Sequence, residues 1–263
     1  MSTDTSYPPV RLALFGVGLI GLRHIEIAAA EEQCSIVAAA DPRESARDAV
    51  ERSGAKFYLD YQQLLAEELL DGVIVATPNS THAPVGIAIA QAGLPMLMEK
   101  PFTDTVAAGE ALLAAAQSAG VAIAVGHHRR FDPSVQLAHK MLTQGVLGQL
   151  TAMHFLWSTR KHASYFDAQW RTQRPGGGPI LINLIHDIDL MRHFGGEVTR
   201  IYAELGHDAR GFEVEDVIAA TVGSLLVPSV PSSPLMRLHR RGVGNLVVEK
   251  IRLCQRLDAI ATG

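Results

Sequence analysis

Short apolar runs punctuate the first half of the chain at regular intervals. Val10–Phe15 (VRLALF) is one, SIVAAAD ending at Asp41 is the next, and Gly72–Thr77 (GVIVAT) is a third. LPMLME and Val121–Gly126 (VAIAVG) follow, with KFY at 56–58 as a briefer one. Runs this short and this apolar predict strands buried on both faces. Between them lie stretches of helical composition: RHIEIAAAEE, about Ala83–Ala92, and an alanine-rich segment at about Val106–Ala119. Strands alternating with helices predict an α/β fold, a doubly wound parallel sheet with right-handed crossovers. Ligands bind off the carboxyl ends of such strands. Three polar loops stand there: TPNSTH (77–82), MEKPFT (98–103) and GHHRRFDP (126–133).

The first strand runs into Gly16-Val17-Gly18-Leu19-Ile20-Gly21, then a helix, a second strand and Asp41. That order is the dinucleotide-binding fingerprint. Gly16 permits the tight turn, Gly18 lets backbone approach a pyrophosphate, and Gly21 lets helix and strand pack closely. The helix start offers unpaired N–H groups to phosphate, and Asp41 would accept from the adenosine ribose hydroxyls. Asp41 favours NAD, because a carboxylate repels a 2′-phosphate. Arg43 leaves NADP open, since it can stack on adenine or meet that phosphate.

The bulk numbers narrow the class. The chain has 263 residues, 48% hydrophobic and 19% charged, which suits a soluble protein of one or two domains. A net charge of −4 gives no reason to expect nucleic acid or an anionic membrane as partner. Cys34 and Cys254 stand far apart, and the start carries no basic-then-apolar leader, so a cytoplasmic protein is expected. No apolar segment reaches the roughly 20 residues that span a bilayer.

The ordered set FGVGLIGLRH, ATPNSTH, MEKPF, HHRRFDP and GGG…HDIDL resembles the Gfo/Idh/MocA oxidoreductases from about Val10 to about Val222. The resemblance implies hydride transfer between NAD(P) and a hydroxyl or carbonyl carbon of a sugar, polyol or related hydroxy compound. It implies a Rossmann domain over 1–126 and an α+β domain with an open, mainly antiparallel sheet over 127–223. It places Lys100, of Glu99-Lys100-Pro101, beside nicotinamide and substrate, where an ammonium stabilises a developing oxyanion. Thr77, Pro78, Asn79 and His82 match the loop lining the cofactor, and Glu99 shapes the turn. His186 matches the family's substrate-facing acid or base, a role suited to a side chain that titrates near neutrality.

In Gly176–Gly196 the glycines and Pro179 predict a helix start. Ile182, His186, Asp189 and His193 are spaced to share one face. Asp189 either binds a substrate hydroxyl or orients His186, or else is a cap or ion pair. Asp187 and His193 read as solvated or structural. The family pattern has Asp four residues before the His. Here that position is Ile182, with Asn183 one step around the helix. Either Lys100 and His186 suffice, or another residue substitutes. Tyr165, Trp170 and Arg171 form a pocket wall, with Arg171 meeting a carboxylate or phosphate, or else a surface loop. Arg130 or its neighbour Arg129 contacts substrate or cofactor, or forms a salt bridge. His127, His128 and His186 lack the company of a metal site, so none is expected.

Leu150–Thr159, Val198–Leu205 and Glu215–Gly223 predict strands of the second domain. After Gly223 the composition changes. Met236–Gly263 carries +4, leaving −8 for the rest. Residues 224–263 are therefore read as an atypical tail, from truncation or a change of frame near Gly223. That would leave a sheet edge and face uncovered and puts a homo-oligomer built on that sheet in doubt. A small-molecule enzyme is expected; the other reading is a non-catalytic dinucleotide-binding protein.

Overall fold

The computed structural model describes residues 8–206 and 210–224. The tail expected over 224–263 lies, from residue 225 on, outside the described residues. The chain divides into two compact units. One runs to Gly126 and takes in Arg174–Gly177; the other holds His127–Gln173 and the chain from Gly178.

The first unit contains β1 (Val10–Phe15), α1 (Leu19–Ala29), β2 (Cys34–Ala40), α2 (Arg47–Arg52), β3 (Lys56–Tyr58) and α3 (Tyr61–Glu67). It continues with β4 (Gly72–Val75), α4 (His82–Gln91), β5 (Met96–Met98), α5 (Val106–Ala119) and β6 (Ile123–Val125). The strands form one sheet in the order β3-β2-β1-β4-β5-β6, every pair parallel. Strand order reverses between β1 and β4, so their carboxyl ends open the crevice in which such folds bind ligands.

Alternation along the strands explains why both faces are apolar. Ala13 and Phe15 of β1 join Val73, Val75, Met98, Ile89 and Leu112 on one face. Leu14 joins Ile25, Ile36, Val50, Phe57 and Ile74 on the other. Leu14, Ile89 and Leu112 are fully buried; each such side chain contributes about 1.5–3 kcal/mol by leaving water. Caps set the helix starts. Asp60 accepts from Gln62 N at 2.9 Å to open α3, and Thr105 accepts from Ala108 N at 3.3 Å to open α5.

The second unit contains α6 (Pro133–Thr143), a π turn at Ile180–Leu184 running into α7 (Ile185–Gly195), and the antiparallel pair β7 (Val198–Leu205) and β8 (Ile218–Ser224). Asp132 caps α6, with Pro133 in the first turn. Val135, Leu190 and Phe194 form a small core with Leu150, Met153 and Phe155 packed on it.

The strand expected at Leu150–Thr159 does not form. The alternation survives as burial, with Met153, Phe155 and Trp157 half-buried and His154, Leu156 and Ser158 exposed. Alternation gives a face, but a strand also needs a neighbour to complete its backbone hydrogen bonds. Among the described residues only β7 and β8 pair in this unit. The strand expected from Glu215 begins at Ile218. β7 is exposed along almost its whole length, Ile201 and Tyr202 included.

Candidate active site

In the first unit the glycine turn is shaped by contacts that only glycine permits. Gly16 has a positive φ of 89° and a Cβ there would lie 2.6 Å from Ala76 O. A Cβ on Gly21 would lie 2.0 Å from Gly16 O. Gly18 differs: a Cβ there would meet nothing within 4 Å. Gly18 also caps α1 without any side-chain hydrogen bond to the helix, so the first-turn N–H groups remain available to an anion. Leu19 and Ile20 are exposed beside it. Thr77 Oγ1, at the end of β4, is buried and has no hydrogen-bond partner among the described residues. An open glycine, an uncapped helix start and an orphaned buried hydroxyl at the crest of the sheet fit a dinucleotide.

The rest of the TPN loop is braced. Asn79 is buried and Nδ2 donates to Gly176 O at 2.7 Å. Pro78 O accepts from Thr81 N and Thr81 Oγ1. His82 is fully buried. Its Nδ1 lies 2.8 Å from Pro101 O and its Nε2 3.0 Å from Thr77 O. Asn79 and His82 were expected among the cofactor-lining residues. The structure engages Asn79 Nδ2 and both ring nitrogens of His82 within the protein, which braces the loop. His82 joins the cofactor loop to the Lys100-Pro101 turn.

Lys100 follows β5 and is half-buried, in a cis peptide with Pro101. Beneath it, Glu99 Oε1 lies 2.9 Å from His24 Nε2 of α1, and Glu99 Oε2 accepts from Lys100 N at 3.3 Å. Burial opposes ionisation of Glu99. The His24 hydrogen bond, the charges of His24 and Lys100 and the Lys100 N–H outweigh it and hold the carboxyl below its ordinary range. His24 was not singled out from the sequence. Its signal is its place three residues after Gly21, one helical turn along α1.

Asp41, expected to accept from the ribose hydroxyls, has its carboxylate engaged within the protein. It is only 4% exposed, and its Oδ2 accepts from Val17 N and Arg43 Nη2, both at 2.8 Å. Oδ1 accepts from Arg43 N and Arg43 Nε, both at 2.9 Å. Its burial works against the charge, yet these bonds and the Arg43 charge keep the carboxyl ionised below its usual range. Asp41 ties the glycine turn to the Arg43 loop.

In the second unit His186 is buried at the start of α7, with the His128 ring edge-on at 4.9 Å. Arg130 and Asp189 do not stand open to a ligand. Arg130 Nη2 and Nε donate to Asp189 Oδ1 and Oδ2 at 2.6 and 2.8 Å, a fork-to-fork pair. Arg129 Nη1 reaches Asp187 Oδ1 at 3.2 Å. Asp187 is thus buried and structural. Both pairs fasten the 3₁₀ turn His128–Phe131 to α7. His193 stacks on His139 with centroids 4.1 Å apart.

A pocket of about 70 Å³ opens beside the π turn, lined among others by Trp157, Tyr165, Arg171, Ile182, Asn183 and Glu215. Arg171 lies over the Tyr165 ring at 4.2 Å and donates to Tyr165 O at 2.6 Å. Trp170 lies under the same guanidinium, 5.4 Å away, rather than in the lining. Glu215 was missed from sequence because its contact is steric. Gly178 has φ of 92°, a Cβ there would lie 2.6 Å from Glu215 Oε1, and that oxygen accepts from Ile180 N at 3.0 Å. Among the described residues no His, Cys, Asp or Glu cluster is placed to hold a metal ion, and no helix is long and apolar enough to cross a membrane.

Comparison with known proteins decides the family. Residues 10–127 match the model described as an oxidoreductase family with NAD-binding Rossmann fold, and residues 135–224 match the GFO/IDH/MocA C-terminal domain. The chain belongs to the Gfo/Idh/MocA family. It is 32% identical over 188 residues to the rhizopine catabolism protein MocA of Rhizobium meliloti, covering 71% of this chain and 57% of that one. It is 31% identical over 192 residues to inositol 2-dehydrogenase 2 of Saccharopolyspora erythraea, covering 72% and 54%. The chain thus spans little more than half the length of these relatives. Among solved structures, the WlbA dehydrogenase of Bordetella pertussis, in complex with NADH and UDP-GlcNAcA, is 28% identical with a TM-score of 0.73. That match covers 81% of this chain and 67% of the other. The Gfo/Idh/MocA fold is therefore an NAD-binding Rossmann domain followed by an α+β domain, of which the described residues include two paired strands.

Proposed function

We propose that this chain carries the catalytic residues of an NAD(P)-dependent dehydrogenase acting on a CH–OH group of a sugar, polyol or related hydroxy compound. The observation that carries the reading is the dinucleotide cradle: open Gly18, uncapped α1 and the orphaned Thr77 hydroxyl. The activities of its relatives, inositol 2-dehydrogenase among them, suggest the class of substrate. The nicotinamide, when bound, supplies the hydride acceptor or donor.

The protein's part is positioning and proton transfer. Lys100 donates a hydrogen bond to the reacting oxygen and stabilises its negative charge. His186 takes or returns the hydroxyl proton. Arg130 and Asp189 position His186 through their ion pair rather than touching substrate. Asn183 and Arg171 give the pocket polar contacts, with Arg171 held on Tyr165 and so available only through the N–H groups it does not use there. Such an enzyme works in a reducing, cytoplasmic setting.

Ile182 supports a second reading, a protein that binds dinucleotide without turnover, because it stands where the family pattern has a carboxylate. Lys100→Met separates the two. It keeps the length of the side chain and removes its charge. Turnover on the substrate found by a polyol and sugar screen should fall at least about a hundredfold, the value of one lost oxyanion donor, with NADH binding retained. Activity that survives the substitution overturns the mechanism.

A further inference from the structure

We infer that the pocket beside the π turn takes an anionic oxygen group, a carboxylate or phosphate, carried on a hydroxylated ring, with Lys161 and Arg171 as the residues that hold the charge. A sugar acid or sugar phosphate, rather than a neutral polyol, is then the substrate class of the proposed dehydrogenase, and to that extent the inference rests on that reading.

The pocket lies wholly within the second unit. Its apolar wall is aromatic: Trp157, Tyr165, Phe166 and Phe212. Such rings bury the C–H groups of a ligand, and a few polar groups then fix its orientation. Short 3₁₀ turns at Ala163–Asp167 and Gln169–Thr172 carry Tyr165 and Arg171 into the lining. Arg171 O accepts from Gly178 N at 3.1 Å, which ties the second of these turns to the start of the π turn.

The charges in the lining do not balance. Lys161, Arg171 and Arg210 stand there with Glu215 and Asp216. Asp216 pairs with Arg210 at 3.1 Å. Glu215 is turned to the backbone of the π turn, where Oε1 accepts from Ile180 N at 3.0 Å. Lys161 and Arg171 are both half-buried, and neither has a carboxylate partner among the described residues. The Tyr165 ring holds them instead, with Lys161 Nζ 5.0 Å and the Arg171 guanidinium 4.2 Å from its centre. Cation–π attraction engages their charge and leaves their N–H groups to other partners. Two cations on one ring also repel each other, and an anion beside the ring relieves that repulsion. Arg171 gives Nη1 to Tyr165 O. Its Nε and Nη2, like Lys161 Nζ, make no hydrogen bond among the described residues. The open polar groups of the lining are thus mainly donors. Ile182 sharpens the asymmetry, because an apolar side chain stands where the family pattern has a carboxylate able to accept from a neutral hydroxyl. A planar guanidinium and an ammonium with spare donors suit a ligand that brings anionic oxygens of its own.

The test is a calorimetric titration of the full chain, with and without NADH, by D-glucuronate, D-glucose 6-phosphate and D-glucose. These share a ring and differ in the group on its last carbon, so the tighter of the two anions identifies the source of the charge. At least one anion is expected to bind about tenfold or more tighter than glucose, the value of one hydrogen bond to a charged group. Lys161→Met keeps the stem over Tyr165 and removes the ammonium. It should weaken the anion at least about tenfold and leave glucose, NADH binding and the melting temperature unchanged. Ile182→Asp places a carboxylate in the lining and should likewise weaken the anion while glucose holds steady or tightens. Equal affinity for all three ligands overturns the inference. So does failure to bind any of them, and so does a Lys161→Met variant that keeps the full preference for the anion. A chain that prefers the anion yet does not bind NADH overturns the dinucleotide reading instead, a distinct outcome.

Discussion

At the scale of single residues, the three glycines of the fingerprint do different work, and the difference can be measured. Gly16 and Gly21 face backbone, and an added Cβ would lie within 3 Å of a carbonyl oxygen. Gly18 faces open space. Gly21→Ala is therefore expected to lower the melting temperature, since overpacking against a rigid backbone costs about 1–3 kcal/mol. Gly18→Ala is expected to leave the melting temperature within error and to weaken NADH, because its methyl group occupies the space over which a pyrophosphate would lie. Thermal melts and NADH titrations of both variants check this. A Gly18→Ala protein that melts early yet binds NADH normally would reverse the assignment.

At the scale of elements, α7 is held by charge as much as by packing. Leu190 and Phe194 supply its apolar contacts, and the Arg130–Asp189 fork fixes its rotation near His186. Asp189→Asn keeps the shape and removes the charge. It should cost about 1.5–3 kcal/mol, the range for hydrogen bonds to charged groups, read as a lower urea midpoint. On the proposed mechanism, in which Asp189 positions the base and does not touch substrate, turnover should fall while the substrate KM changes little. An unchanged midpoint would show that α7 needs no such clamp. The same element shows what sequence can and cannot reveal. β1 and the first helix were legible because a buried parallel strand and a glycine turn leave a linear signature. The helix at 185–195 was legible from its glycines, Pro179 and its spacing. That Arg130 and Asp189 meet was not, since 59 residues separate them and either partner alone reads equally well as a ligand contact. The clamp of Glu99 by His24 was hidden for the same reason, across 75 residues. The strand expected at 150–159 was mistaken because a two-residue period reports which face is buried and says nothing about whether a neighbour exists.

At the scale of the whole molecule, these ionisable groups give stability one sign of pH dependence. Asp41, Glu99 and Asp132 have carboxyl groups held below their ordinary range. Burial opposes this for Asp41 and Glu99, but the bonds from Arg43 and His24 outweigh it; the Ser134 hydrogen bond leads for Asp132. Their contribution is complete above the unfolded carboxyl range and is lost as pH falls through the lower folded values. His193 is pushed down, first by burial and then by His139 and Arg130. The fold favours its neutral form, so protonation in the unfolded state pulls the equilibrium toward unfolding as pH drops below the ordinary histidine value. In every case the unfolded chain binds more protons than the native one, and stability rises with pH. Urea midpoints should therefore decline in two steps on acidification, a shallow one below about pH 6.5 and a steeper one below about pH 4.5. His193→Phe should remove the shallow step, because the ring stack on His139 is kept and the titrating group is gone. Glu99→Gln should lower the midpoint at neutral pH and flatten the steep step, since the group whose charge is stabilised in the fold can no longer take up a proton. A midpoint that stays level or climbs between pH 7 and 4 would mean that the ion pairs of Arg43 and His24 add nothing to folding.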